Sequence, residues 1–373
     1  MNNLLLDIWK IIFELLDFKS KINLISTCRY LRQHLNIIDL HNIDEKYLKK
    51  LTTEILRCYI FRNVVCLNIS YNYNINDVSF MKNLKILYAD HSVINQNGIK
   101  ELDLIELNIN YNKKIKDLSF MKNLKKLQIC GRSIDQNGIK NLDLIELSAD
   151  DNYKIKDISF MKNLKKLNAQ WNCGINQNGI KGLDLIELNV SYNKKIIDVS
   201  FMKNLKILHA RAYCGINQNS IKDLDLIELN IDDNDKIYDV SFMENLKKLN
   251  ASGKCNIDQN SIKGLDLIEL YINYNNKIND ISFMKNLKIL YANDMCEINQ
   301  DNIKELDLIE LCVDDNDKIY DVSFMKNLKR LVAGGKCNID QNGIKGLDLI
   351  YLFAYNNNKI NDVSFMKNIR FYM

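Results

Sequence analysis

The chain has 373 residues, 47% of them apolar and 26% charged, which is ample for a large buried core and excludes a disordered protein. A formal net charge of +4 with Lys and Glu interspersed leaves no basic face that demands nucleic acid, and no run of about eighteen apolar residues is present to cross a membrane. Asp7, Lys10 and Glu14 break up the N-terminal apolar stretch, which argues against a secretory signal and implies an intracellular setting, cytoplasmic or nuclear, in a host cell if the source is a virus. Proline is absent and Asn, Ile and Lys are heavily used, a composition that reflects AT-rich coding more than any physical need.

The first element lies in residues 1–40. Leu5, Ile8, Trp9, Ile12, Leu15 and Leu16 recur at the spacing of an amphipathic helix, and Ile22, Leu24, Ile25, Cys28 and Leu31 form a second apolar set after the polar turn Asp17 to Lys21. Two or three short packed helices are predicted. Read without a gap, Leu4 to Leu16 and Ile22 to Arg32 resemble the F-box: Asp7 stands where the family has glutamate, Phe13 where it has phenylalanine, and Cys28-Arg29-Tyr30-Leu31 where it has its closing segment. Leu5 replaces the family's proline. The resemblance implies a helical unit that docks on a Skp-type adaptor through Leu4, Leu6, Ile8, Ile12, Phe13, Leu16 and Ile22, with Trp9 either joining them or packing on the first repeat. Residues 41–63 follow as a helical linker or N-terminal cap. The alternative is that all these helices only cap what comes next.

From residue 64 to 373 the chain repeats. The phrase Asp-(Val/Ile/Leu)-Ser-Phe-Met-(Lys/Glu)-Asn occurs eight times, with its phenylalanine at Phe80, Phe120, Phe160, Phe201, Phe242, Phe283, Phe324 and Phe365, at spacings of 40, 40 and then 41 residues. A fixed period means stacked units that share one core. Each period holds two LxxLxL segments, such as Leu84 to Ala89 and Leu104 to Ile109, whose alternation is that of a strand with one buried face. Anchors from Val64 to Ile369 number sixteen, so sixteen short parallel strands are predicted, a ladder on the order of 75 Å long. One half ends in an asparagine, at Asn72, Asn112, Asn152, Asn193, Asn234, Asn275, Asn316 and Asn357. These segments resemble leucine-rich repeats. Ile115 to Asn123 is similar to the short-turn, phosphatase-regulator type and Ile94 to Lys100 to the cysteine-containing type, common among F-box proteins. The fold class that follows is an α/β solenoid: a small helical F-box domain, then a leucine-rich-repeat horseshoe with a parallel concave sheet.

Residue chemistry points away from catalysis. Histidine occurs only at His34, His41, His91 and His209, with no metal-binding spacing and no Gly-rich phosphate loop, so no catalytic, metal or cofactor site is expected. Cys173, Cys214, Cys255, Cys296 and Cys337 are 41 residues apart, about 10 Å between neighbours, too far to bridge; they read as buried structural thiols. Asp232-Asp233-Asn234-Asp235 and Asp314-Asp315-Asn316-Asp317 lack the glycine and glutamate of a calcium loop and read as solvated turns.

A binding role belongs to the strand positions that vary. Third positions alternate in charge, with Lys126, Glu146, Lys166, Glu187, Glu228, Lys248 and Glu269, a pattern that sets register. Fifth and seventh positions are polar midway (Asn168, Gln170, Asn189, Ser191, Asn230, Asp232) and become Tyr271, Tyr291, Cys312, Val332, Phe353 and Tyr355, joined by Tyr351. Tyr271, Tyr291, Val332, Tyr351, Phe353 and Tyr355 therefore form either a target-binding patch or a cover for the solenoid end or a self-association surface, since the sequence stops at Phe371-Tyr372-Met373 inside an expected strand. By the family resemblance, the chain is a non-catalytic substrate receptor of a Skp-cullin-F-box ubiquitin ligase, meeting the cullin through the adaptor and a protein target through the repeats. The alternative is a leucine-rich-repeat interaction scaffold without that role.

Overall fold

The computed structural model describes residues 3–372, with side chains from Leu6 to Arg370. Two compact units divide the chain, residues 1–183 and 184–373.

The first unit opens with α1 (Asn3–Leu15), α2 (Phe18–Thr27) and α3 (Arg29–His34). Asp17 starts α2 by accepting the Ser20 N–H at 2.8 Å, and Cys28 starts α3 by accepting the Leu31 N–H on sulfur at 3.4 Å. Phe13, Ile25, Leu31 and Leu35 are buried. The Phe18 ring lies 5.6 Å from that of Tyr47 in α4 (Glu45–Leu48), tying the helices to the segment ahead of the first repeat. That segment, residues 41–63, also holds α5 (Thr53–Leu56) and a 3-10 turn at Tyr59–Phe61.

The strands of this unit are β1 (Asp39–Leu40), β2 (Cys66–Asn68), β3 (Ile86–Tyr88), β4 (Glu106–Asn108), β5 (Lys126–Gln128), β6 (Glu146–Ser148) and β7 (Lys166–Asn168). From β1 to β7 successive strands of this unit pair in parallel and in register, so Leu107 sits beside Leu127 and Leu127 beside Leu147. β1 belongs to residues 1–40, expected to be helical throughout, and pairs Leu40 with Leu67, so the sheet starts one strand earlier than the anchor count implies. The second unit continues with β8 (Glu187–Asn189), β9 (Ile207–His209), α6 (Gln218–Ile221), β10 (Glu228–Asn230), β11 (Lys248–Asn250), β12 (Glu269–Tyr271), β13 (Ile289–Tyr291), α7 (Gln300–Ile303), β14 (Glu310–Cys312), β15 (Arg330–Val332), β16 (Tyr351–Phe353) and β17 (Phe371–Tyr372). β2 to β17 are the sixteen strands that the anchors predict. In nearly all of the three-residue strands the central residue is buried and its neighbours are partly exposed, the period of two made visible.

Side chains that satisfy turning backbone hold neighbouring repeats together. Asn112 is buried; its Nδ2 donates to the carbonyls of Ser92 (3.2 Å) and Ile94 (3.0 Å), while its Oδ1 accepts the N–H groups of Lys114 (2.9 Å) and Ile115 (3.1 Å). The same pattern recurs at Asn72 and Asn275, and Asn316 and Asn357 likewise donate to two carbonyls of the preceding repeat and accept the N–H of Lys318 and Lys359. A second ladder runs through the glutamines of the Asn-Gln-Asn and Asp-Gln-Asn segments. Gln96 Oε1 accepts the N–H groups of Lys116 (2.9 Å) and Asp117 (3.0 Å) and its Nε2 donates to the Asp117 carbonyl (2.7 Å), an arrangement repeated at Gln136, Gln218, Gln259, Gln300 and Gln341.

The recurring phrase has its own logic. Asp117 Oδ1 accepts the Ser119 N–H at 2.8 Å to close a turn, Leu118 and Met121 enter the core, and Asn123 reaches back to Asp103 at 2.8 Å. Cys173, Cys214, Cys255, Cys296 and Cys337 are buried, and none of the ten cysteines is in a disulfide. Cys214 and Cys255 donate to the carbonyls of Ala210 (3.2 Å) and Ala251 (2.9 Å), and burial pushes the Cys214, Cys296 and Cys337 thiols up to about 11, so they stay protonated at neutral pH. No helix among the described residues is long and apolar enough to cross a membrane.

Candidate interaction surfaces

α1 leaves a broad apolar face uncovered. Ile8 is 45% exposed, Ile12 39%, and beside them Ile11 and Leu15 reach 64% and 83%. Of the residues that the F-box resemblance selects, Ile8 and Ile12 stand on this face, while Leu6, Trp9, Leu16 and Ile22 are half-buried. Phe13 points inward at 2% exposure under the Lys21 ammonium, so it supports the face from behind. The Leu4 side chain lies outside the described residues. Ile11 and Leu15 complete the surface although the family pattern does not single them out; Leu15 belongs to the apolar stripe of the sequence, and the signal for Ile11 is the run Ile11-Ile12-Phe13, which covers more than one face of a helix.

The solvent-facing side of the repeats carries the second surface. Third-position charges pair laterally as expected: Lys126 Nζ lies 3.1 Å from Glu146, and Lys248 sits between Glu228 (3.5 Å) and Glu269 (3.4 Å). His209 meets Glu228 at 3.0 Å. These partly exposed pairs are mutually compensated and contribute little each. The acidic run at Asp232 to Asp235 is absorbed by the protein, since Arg211 pairs with Asp232, Asp233 accepts the Lys254 N–H at 3.0 Å and Asn234 serves the ladder.

From β12 onward the surface changes. Tyr271 and Tyr291 rings lie 4.8 Å apart; Tyr271 hydroxyl donates to Glu269 at 3.1 Å and Tyr291 hydroxyl to Glu310. Burial and the adjacent carboxylates push both phenols up. Arg330 Nε lies 3.0 Å from Glu310 and its guanidinium packs 5.1 Å from the Phe353 ring centre. Tyr291, Val332, Phe353 and Tyr355 meet around a recess of about 500 Å³, lined also by Asp314, Arg330 and Gly334. Tyr271 stands behind Tyr291, one strand away, and Tyr351 pairs in register with Arg330 in the third-position row. Six aromatic or apolar residues chosen from sequence thus divide into four around the recess and two beside it. Arg330 and Gly334 were missed from sequence, and Asp314, read there as part of a solvated turn, is half-buried and accepts the Gly334 N–H; the signal for Gly334 is a small residue between aromatic ones on neighbouring strands.

No family profile and no curated protein matches the sequence. Among solved structures, a TLR13–ssRNA13 complex matches at 17% identity and a TM-score of 0.51, over 83% of this chain and 60% of that one. An internalin, inlF of Listeria monocytogenes, matches at 19% identity over 88% of this chain and 92% of that one with a TM-score of 0.38, and the Rad7 and Elc1 complex of yeast at 15% over 75% and 84% with a TM-score of 0.44. These neighbours are leucine-rich-repeat proteins, and the likeness to TLR13 is one of fold. The fold of the chain is a leucine-rich-repeat solenoid preceded by helices.

Proposed function

We propose that the chain is a non-catalytic substrate receptor: residues 1–40 dock as an F-box on a Skp-type adaptor and through it a cullin, and the repeats from 64 onward hold a protein target. The observation that carries this reading is the bare apolar face of α1. A helix that only capped a solenoid would bury its apolar side on the first repeat and turn polar residues outward; here Ile8, Ile11, Ile12 and Leu15 face solvent and Phe13 is the residue turned inward. An apolar face of that kind needs a partner. The receptor then works by position, raising the effective concentration of target lysines near the transfer centre.

Aspartates at Ile8 and Ile12 test the docking face. Because both side chains stand on the exposed face of α1 and neither is part of the buried core, the Ile8→Asp, Ile12→Asp chain stays folded and melts within a few degrees of the wild type. Its affinity for a Skp-type adaptor falls by about 100-fold, as two carboxylates are forced into an apolar contact. Undiminished binding by the folded double variant overturns the assignment. A scaffold that needs no ubiquitin machinery would then remain, with the solenoid as its only binding element.

A further inference from the structure

The recess on the second unit is written in the fifth and seventh strand positions. Along β12 to β16 the fifth positions run Tyr271, Tyr291, Cys312, Val332, Phe353 and the seventh run Asn273, Asn293, Asp314, Gly334, Tyr355. Two successive strands therefore carry small residues between aromatic ones. With three strand spacings from β13 to β16, the aromatic walls are about 14 Å apart at their roots, which leaves room for a planar side chain to enter and lie against one wall.

Its charge is unbalanced. Asp314 is half-buried and accepts the Gly334 N–H at 2.6 Å; burial and the nearby carboxylates of Asp315 and Asp294 push its acid group up. Among the described residues no lysine or arginine forms an ion pair with Asp294, Asp314 or Asp315; Arg330, which lines the same recess, lies against Glu310 and the Phe353 ring instead. Two periods upstream the same seventh position holds Asp232, and there an arginine of the chain itself lies on the carboxylate: Arg211 Nε is 3.0 Å from Asp232 Oδ2, and Nη2 bonds the same oxygen. The residue that corresponds to Arg211 beside Asp314 is the neutral Asn293, whose Oδ1 accepts the Asp314 N–H at 3.1 Å.

We propose that this recess seats an arginine side chain of the protein held by the repeats, its guanidinium taking on Asp314 the place that Arg211 takes on Asp232. The proposal rests on reading the strand face as the target-binding surface. Arginine fits better than lysine because a planar guanidinium stacks on Tyr291 or Tyr355 and forks onto a carboxylate, whereas an ammonium pairs with the carboxylate only as a point charge.

The probe is N-acetyl-arginine amide, titrated into the full chain with its valine methyl groups labelled for NMR and read at Val332. A saturable shift at millimolar concentration is expected, with binding at least about ten-fold weaker for the neutral citrulline amide and about ten-fold weaker for Asp314→Asn. Tyr355→Ser, at a side chain 71% exposed, gives a second weakened variant should Asp314→Asn not fold. An unmoved Val332, equal shifts from the citrulline amide, or undiminished binding by both variants overturns the seat. Adaptor capture through α1 is a separate reading in the same protein, so failure here leaves that assignment standing and the reverse also holds.

Discussion

Asn234→Leu lowers the stability of the second unit by about 4 kcal/mol, against no more than about 0.5 kcal/mol for the exposed Asn219→Ala on α6. Asn234 is fully buried, and its Nδ2 donates to the carbonyls of Ala210 (2.8 Å) and Ile216 (3.3 Å) while its Oδ1 accepts the Lys236 N–H at 2.9 Å. Leucine matches its size but leaves the buried Ile216 carbonyl without its donor, takes the Lys236 N–H off its acceptor and leaves the Ala210 carbonyl with only the weak Cys214 S–H, at about 1–3 kcal/mol for each group lost. Stacked repeats are coupled to their neighbours, so the loss falls on the interface between successive turns. Urea unfolding of both variants measures it; an Asn234→Leu midpoint equal to that of the control contradicts the ladder.

Gly179→Ala destabilises the first unit by about 2–3 kcal/mol, and Gly179→Ser by less, although serine is the larger residue. A Cβ at Gly179 would lie 2.0 Å from the Lys156 carbonyl oxygen. The same position in later repeats carries Ser220 and Ser261, and each hydroxyl donates to the corresponding carbonyl, of Ile197 and of Tyr238, at 2.6 Å. There the approach of the two strands of backbone is used as a hydrogen bond. Alanine brings the crowding without the donor. Thermal melts that rank serine below alanine would refute this account of the alternation between glycine and serine.

What repeats was legible. Leu107 or Leu270 could be placed in the core and Asn112 or Asn275 in the ladder because each recurs at one spacing, and a residue that recurs through variable surroundings is held by backbone geometry. Gln96 and its counterparts recur as strictly, yet their role escaped, since a glutamine near the surface signals nothing until the N–H groups of the next repeat are seen beside it. β1 is two residues long and lacks the repeat phrase, so only its pairing with β2 reveals it. In α1 the apolar stripe was plain, but whether Ile8 and Ile12 face in or out depends on the packing of Phe13, which no periodicity encodes. The aromatic residues near the C-terminal strands were readable singly; the recess arises from the small side chains of Cys312, Val332 and Gly334 between them.

The receptor reading is tested most directly by mixing the wild-type chain with a Skp-type adaptor and a cullin and measuring the mass of what elutes from a sizing column. A single species containing one copy of each is the predicted result. Elution of the folded chain at its own 43.6 kDa, with adaptor and cullin elsewhere, contradicts it.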